Sequence, residues 1–200
     1  MKKYYLYIVL CLLTCSVVAQ ESPRKFRVYL IGDAGEMEDG HHPVVEDVLQ
    51  QLQESPGEKA HIIYLGDNIY PLGMPDYENE ERKGAELLLK TQLDLYRHLN
   101  GKIWMVPGNH DWDKGKSDGW NAVLRAEEYV EENYPADQVL WTPGSGCPGP
   151  TVFPLDPETL LVTVDSQWWL QSRDKPGRES DCDYKSEEEV LAALTYLLEE

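Results

Sequence analysis

The stretch HIIYLGDNIYPLGMP, residues 61–75, is a short apolar run that ends abruptly in glycine, a carboxylate and an amide. The run is rich in isoleucine, leucine and tyrosine, which predicts a buried strand over residues 61–65. A turn explains the glycine, but it does not require the Asp67 that follows. The same arrangement occurs twice more, where apolar runs end in GDAG (residues 32–35) and in PGNHD (residues 107–111). These three strand ends decide the predicted fold.

Strands and helices alternate along the rest of the chain. Further strands are predicted over residues 26–31, 102–106 and 159–164. Helical spacing of apolar residues predicts helices over residues 44–53, 78–99, 121–134 and 186–200. This alternation indicates a layered α/β domain with an at least partly parallel sheet. The stretch 135–157 is rich in proline and glycine, which predicts a loop over the domain surface.

The first nineteen residues have the pattern of a signal peptide. A basic start is followed by an apolar run, and small residues end at Ala19, which predicts cleavage before Gln20 and a mature domain over residues 20–200. A lipoprotein anchored through Cys15 is the alternative. The apolar run is too short for a comfortable membrane span. We therefore expect an exported protein.

The mature chain is strongly acidic. Residues 1–19 contain two lysines and no acids, so their removal changes the net charge from −18 to −20. Such a surface repels the phosphates of nucleic acid and anionic membranes, so nucleic acid is excluded as a partner. If the substrate is an anion, metal ions are the obvious groups to attract it.

Two cysteines remain after the signal peptide, Cys147 and Cys182. Both lie in segments rich in glycine, proline or aspartate. In an exported chain such a pair is more often a disulfide than a metal site, although two free thiols are the alternative.

Oxygen and nitrogen donors follow each of the first three strands. In an open α/β sheet, ligand sites lie at the carboxyl ends of parallel strands, so the three loops can converge there. Carboxylate, phenol, amide and imidazole groups suit hard or borderline cations. The donors are Asp33 after the first strand; Asp67, Asn68 and Tyr70 after the second; and Asn109, His110 and Asp111 after the third.

The motifs GDAG, GDNIY and GNHD resemble those of the calcineurin-like metallophosphoesterases, and specifically of the purple acid phosphatase branch. That branch has a tyrosine three residues after the shared aspartate, as Tyr70 stands to Asp67. It also lacks the histidine that other members carry in the first motif, where Gly35 stands here. The resemblance implies a four-layer αββα sandwich and hydrolysis of phosphate monoesters or diesters through a hydroxide held by two metal ions.

The resemblance also implies a role for each donor. Two metals are expected, iron with a second iron, zinc or manganese. Phosphorylated small molecules or esters are the expected substrates. Asp33 and Tyr70 would bind the first metal, Asp67 would bridge both, and Asn109 would bind the second. His110 would lie beside the phosphate with Asp111 holding its ring, and Asn68, His41 and His42 would contact the substrate.

Part of the family's usual site is missing from this sequence. The family uses three later histidines as metal ligands, and no histidine follows His110. The last predicted helix also has no stop signal before Glu200. The sequence therefore predicts a domain that is incomplete at its C-terminus and weakly active or inactive alone. A non-catalytic binding module on the same fold is the alternative.

Similar N-terminal segments also occur in longer bacterial proteins that continue into an outer-membrane barrel. The expected location is therefore the periplasm, the outer membrane or the exterior.

Overall fold

The computed structural model describes residues 26–199. The predicted signal peptide, with Cys15 and the cleavage site before Gln20, lies outside the described residues. Among residues 26–199, no helix is long and apolar enough to cross a membrane.

A four-stranded parallel sheet forms the centre of the fold. Its strands lie side by side in chain order, and each neighbouring pair is parallel. The strands are β1 (Arg27–Ile31), β2 (Ala60–Tyr64), β3 (Ile103–Met105) and β4 (Val139–Trp141). Their carboxyl ends therefore lie along one edge, and the three motif loops all begin there.

Helices connect the parallel strands. The start of α1 is fixed by Pro43 at its first position and by His42, whose Nδ1 accepts a hydrogen bond from the Val45 amide (3.4 Å). The described helices are α1 (Pro43–Glu54), α2 (Arg82–Leu93), α3 (Gly119–Asn133), α4 (Ser166–Leu170) and α5 (Glu187–Glu199), with 3₁₀ turns at Asp94–His98, Asp113–Gly115 and Gly144–Gly146.

One face of the parallel sheet packs against the helices. Successive side chains of a strand point to opposite faces, so every second residue belongs to this layer. The buried residues that the strands contribute to it are Ile31, Ala60, Ile62, Tyr64, Ile103, Met105, Val139 and Trp141.

The opposite face packs against a second, smaller sheet. Strands β5 (Thr151–Asp156) and β6 (Thr159–Thr163) pair in antiparallel orientation, and a small apolar core joins Leu155 to Ile63 and Trp104 of the parallel sheet. Helix α5 faces the outer side of β5 across a cleft lined by residues such as Val152 and Tyr196. The order helix, sheet, sheet, helix confirms the predicted α/β class.

The predicted loop over residues 135–157 is wrong, because this stretch contains β4 and β5. Backbone pairing with β3 and burial of alternate side chains stabilise β4. Pro154 is tolerated within β5 because its backbone needs no donor on a side without a neighbouring strand. The short helix α4 was also not predicted. The other predicted strands and helices are confirmed, with ends shifted by a few residues.

The predicted disulfide between Cys147 and Cys182 is present, with 5.6 Å between the two Cα atoms. It joins the loop after β4 to the segment that precedes α5. Cys182 is buried, so the bridge lies within the fold and not on an outlying loop.

Candidate functional site

The three motif loops are joined by hydrogen bonds at the carboxyl edge of the parallel sheet. The Asp33 amide donates to the Gly66 carbonyl (3.2 Å), and the Tyr70 amide donates to the Gly35 carbonyl (2.9 Å). The His110 amide donates to Oδ1 of Asp67 (2.9 Å), which connects the third loop to the second. The backbone therefore holds the loops together before any ligand binds.

Glycines permit this close approach. A Cβ atom at Gly66 would lie 2.8 Å from the Gly108 Cα atom, and a Cβ atom at Gly108 would overlap the amide nitrogen and Oδ1 of Asp67. A Cβ atom at Gly35 would lie 2.7 Å from the Asp67 carbonyl oxygen. The last contact explains why no larger side chain, histidine included, fits at this position of the first motif.

A cluster of three side-chain oxygen groups lies where the first two loops meet. The Tyr70 hydroxyl donates to Oδ1 of Asp33 (2.6 Å) and lies 3.2 Å from Oδ2 of Asp67. The hydrogen bond to Asp33 and the nearby negative charges raise the pKa of Tyr70 above its usual range. Asp33 and Asp67 have φ values of 55° and 56°, a left-handed conformation that non-glycine residues rarely adopt. The backbone is thus strained at the two residues that present the carboxylates.

The fourth predicted donor, Asn109, is exposed and lines the same cleft as Asp33 and Asp67. This cleft has a volume of about 630 Å³ and lies between the strand ends of the parallel sheet and the second half of β6 with the segment that follows it. Two carboxylates, a phenol and an amide form a set of oxygen donors that fits a hard cation. Among residues 26–199 no group of three or more His, Cys, Asp or Glu side chains is placed to hold a metal.

Asp111 supports the oxygen cluster from the protein interior and is not one of its members. Its carboxylate is fully buried and accepts hydrogen bonds from the backbone amides of Gly108 (2.7 Å), Asn68 (3.1 Å) and Ile69 (3.2 Å). Burial raises the pKa of Asp111 to about 7, although these donors oppose the shift. The predicted contact between Asp111 and the His110 ring is therefore corrected, because the carboxylate points inward to the backbone of the second and third loops.

Asn68 belongs to the same buried support. Its side-chain amide donates to the Val106 carbonyl (2.8 Å) and to Oδ2 of Asp111 (3.1 Å), and the residue has no exposed surface. The predicted substrate contact of Asn68 is replaced by a positioning role, because the residue is fully buried and its Nδ2 holds the loops, while its Oδ1 has no hydrogen-bond partner among the described residues.

His110 lies next to the oxygen cluster. Its ring packs edge to face against the Tyr70 ring, with 4.1 Å between the centroids, and its Nδ1 is 2.8 Å from the Pro71 carbonyl oxygen. A carbonyl only accepts, so Nδ1 carries the proton and donates it to this bond. Nε2 has no hydrogen-bond partner among the described residues and can contact a ligand.

Residues 26–191 match the family model of the calcineurin-like phosphoesterases. The chain belongs to the calcineurin-like phosphoesterase family. Comparisons with curated proteins and with solved structures gave no match. Members of this family usually hydrolyse phosphoesters and bind divalent metals, and the match covers all three motif loops.

The histidine pair of this family member, His41 and His42, lies apart from the oxygen cluster. His42 is buried; its Nε2 is 2.7 Å from the Ala34 carbonyl oxygen, and its Nδ1 caps α1. His41 is exposed and its Nδ1 is 3.1 Å from Oε1 of Glu46. The structure therefore gives His42 a structural role, and neither ring contacts the motif carboxylates.

Asp165 is a supporting residue that was not predicted. Its buried carboxylate accepts hydrogen bonds from Nε1 of Trp112 (2.8 Å) and from the amides of Gln167 and Trp168 at the start of α4. Burial raises the pKa of Asp165 to about 7. The bond to Trp112 connects the third motif loop to the segment after β6. An aspartate directly before a short helix is the signal that could have identified this cap.

Proposed function

We propose that this protein is a metal-dependent hydrolase of phosphate monoesters or diesters, with its reaction centre at the cluster of Asp33, Asp67 and Tyr70. The observation that carries the proposal is the Tyr70 hydroxyl, which contacts both carboxylates although the three residues come from two separate loops. Two carboxylates beside one hydroxyl repel each other, and a bound cation would offset that repulsion.

The donors present fit the metal pair expected for the purple acid phosphatase branch. Asp33 and Tyr70 would hold the first ion, Asp67 would contact both, and Asn109 would hold the second, with iron paired to iron, zinc or manganese. When bound, such ions supply Lewis acidity toward phosphate oxygens and lower the pKa of water. Tyr70 is the residue that favours the purple acid phosphatase branch over the rest of the family.

The protein's own residues supply orientation and charge. His110 is held by the Pro71 carbonyl through Nδ1, which leaves Nε2 to contact a phosphate oxygen. The His110 amide donates a hydrogen bond to Asp67, which fixes the position of the Asp67 carboxylate relative to His110. Asp111 accepts hydrogen bonds from the second and third motif loops and so holds them together.

Export of the protein is supported by two features. A disulfide joins Cys147 and Cys182, and such bridges persist in oxidising compartments. The sequence also begins with the pattern of a signal peptide, so the periplasm, the outer membrane or the exterior is the proposed location.

A non-catalytic binding module is the second candidate. It is favoured by one observation: among the described residues, no group of three or more His, Cys, Asp or Glu side chains is placed to hold a metal. The two candidates differ in whether the oxygen cluster binds metal and supports hydrolysis.

Metal content and visible absorbance test the proposal. The purified protein is loaded with Fe³⁺ and then Zn²⁺, the bound metals are measured by mass spectrometry, and hydrolysis of p-nitrophenyl phosphate is followed. We expect bound iron and an iron–tyrosinate absorbance band that Tyr70→Phe removes. Asp67→Asn should lower the content of both metals, and Asn109→Ala should lower the content of the second metal.

Asp137→Asn is the matched control, because Asp137 is exposed and lies on the loop before β4. Metal content that is the same in Asp67→Asn, Asn109→Ala and the control would reject the metal site. Metal binding without hydrolysis of either a monoester or a diester would favour the binding module.

A further inference from the structure

A second groove is lined in part by Tyr70, and neither Asp33 nor Asp67 lines it. It has a volume of about 630 Å³ and lies between the loop after β1, the loop after β2 and the first two turns of α2. We call it the Met37 groove after the residue on its first wall; Leu72 and Leu88 form other walls. Tyr70 belongs to both features, since the residue lines the groove and its hydroxyl contacts the two carboxylates.

The Met37 groove is apolar with a negative rim. Of its lining residues only Glu36 and Glu81 carry a full charge, and both are exposed. The neighbouring cations of α2 do not neutralise them. Arg82 is buried and donates to Glu86 and to the Pro75 carbonyl, and Lys83 lines a different cleft. A ligand that fits this groove combines an apolar body with a positive charge.

The position of the groove connects it to the reaction. Pro71 lines the groove, and its carbonyl holds the His110 ring, which in turn packs against Tyr70. A phosphoester whose phosphate binds the metal ions that Asp33 and Asp67 would hold therefore has the groove beside it, on the side of Tyr70.

We propose that the Met37 groove binds the alcohol part of the substrate, and that this alcohol is apolar and cationic. The proposal rests on the proposed function. Hydrolysis forms a bond between phosphorus and a water oxygen and breaks the bond to the alcohol oxygen. The water loses one proton and the alcohol gains one, so no further reagent is needed. The substrate class is thus a phosphate ester of an alcohol that carries an ammonium group on an apolar body.

Binding of the alcohol alone tests the groove without requiring hydrolysis. The probes are 4-(trimethylammonio)phenol and its neutral isostere 4-tert-butylphenol, with affinities measured by calorimetry on the purified protein. We expect the cationic phenol to bind more tightly than the neutral one. Two exposed carboxylates should together raise the affinity for the cationic phenol about threefold to tenfold, and Glu36→Gln with Glu81→Gln should remove this preference.

Two further variants complete the test. A Cβ atom at Gly84 would meet open space, so Gly84→Leu fills the groove while leucine suits the helix, and both phenols should lose binding. Glu78→Gln with Glu80→Gln is the matched control, because these two acids line the separate cleft to which Lys83 belongs. This double variant should keep the preference for the cationic phenol. Tighter binding of the neutral phenol, or equal binding by all variants, would overturn the proposal.

Hydrolysis of the two matching aryl phosphates then separates the two claims. Metal-dependent hydrolysis with the same substrate ratio in every variant would leave the proposed function standing and reject the groove. Groove binding that Gly84→Leu abolishes, in a protein without hydrolysis, would support the groove and reject the proposed function.

Discussion

Asp111→Asn removes one acceptor oxygen from the buried support of the site and leaves the shape of the side chain almost unchanged. In the wild type, Oδ2 accepts from the Gly108 amide at 2.7 Å and from the Asn68 side-chain amide at 3.1 Å, while Oδ1 serves the Asn68 and Ile69 amides. Asparagine has only one acceptor oxygen. Whichever way the new amide is oriented, its NH₂ group faces buried N–H donors.

The magnitude follows from the count of lost partners. Two buried donors without an acceptor cost about 2 to 6 kcal/mol together. Removal of a buried charge recovers part of its desolvation cost, which places the expected loss in the lower half of that range, about 2 to 4 kcal/mol. Asp137→Asn removes the same charge at an exposed position and should change the free energy of unfolding by less than about 0.5 kcal/mol.

Urea denaturation monitored by tryptophan fluorescence measures both values, because Trp112 lies directly after Asp111 and is fully buried. Metal content of the folded variant is measured in parallel and should fall, because the second and third loops are no longer held together. A loss within the range of the Asp137→Asn control, with normal metal content, would show that Asp111 does not position the loops.

Three further predictions concern the loop contact, the disulfide and the half-buried acid Glu127. Gly108→Ala should destabilise the fold by about 1 to 3 kcal/mol and lower the metal content, because the Cβ atom of the new alanine would overlap Asp67. Gly177→Ala is the control for both measurements, because a Cβ atom at position 177 meets open space. Replacing Cys147 and Cys182 together by serine should cost about 4 kcal/mol in urea denaturation for a sequence separation of 35, and reductant should then have no further effect. Burial raises the pKa of Glu127 to about 7. The contribution of Glu127 to stability is therefore full below its ordinary pKa of 4.5 and is lost as the pH rises through about 7. We expect the melting temperature to fall between about pH 5 and pH 8, and we expect Glu127→Gln to reduce that fall. An equal fall in the variant would contradict the last assignment.

The parts of the fold that local sequence specifies were predicted. β1, β2 and β3 are short apolar runs that end at glycine, and their polar loop residues meet because parallel strands place all carboxyl ends at one edge. Strand β4 is only three residues long and lies in a proline-rich stretch, so only its pairing with β3 identifies it. Such pairing is a tertiary property that composition does not report.

The support of the candidate site was less predictable than its donors. The target of Asp111 depends on how closely the second and third loops approach, and that distance is set by contacts between residues far apart in sequence. His42 was assigned to substrate because it follows the first motif, whereas its ring caps a helix and contacts the Ala34 carbonyl. The metal identities and the purple acid phosphatase branch stay predictions.

The contact between Gly66 and Gly108 has a practical consequence for protein engineering. The turn after β2 and the turn after β3 contact each other through main-chain atoms, with no room for a side chain between them. Neither turn can therefore be exchanged alone for a longer or bulkier one from another protein. A graft or a randomised library has to treat the two turns as a single cassette, and a chimera that replaces only one of them should fail at the level of folding before its chemistry can be judged.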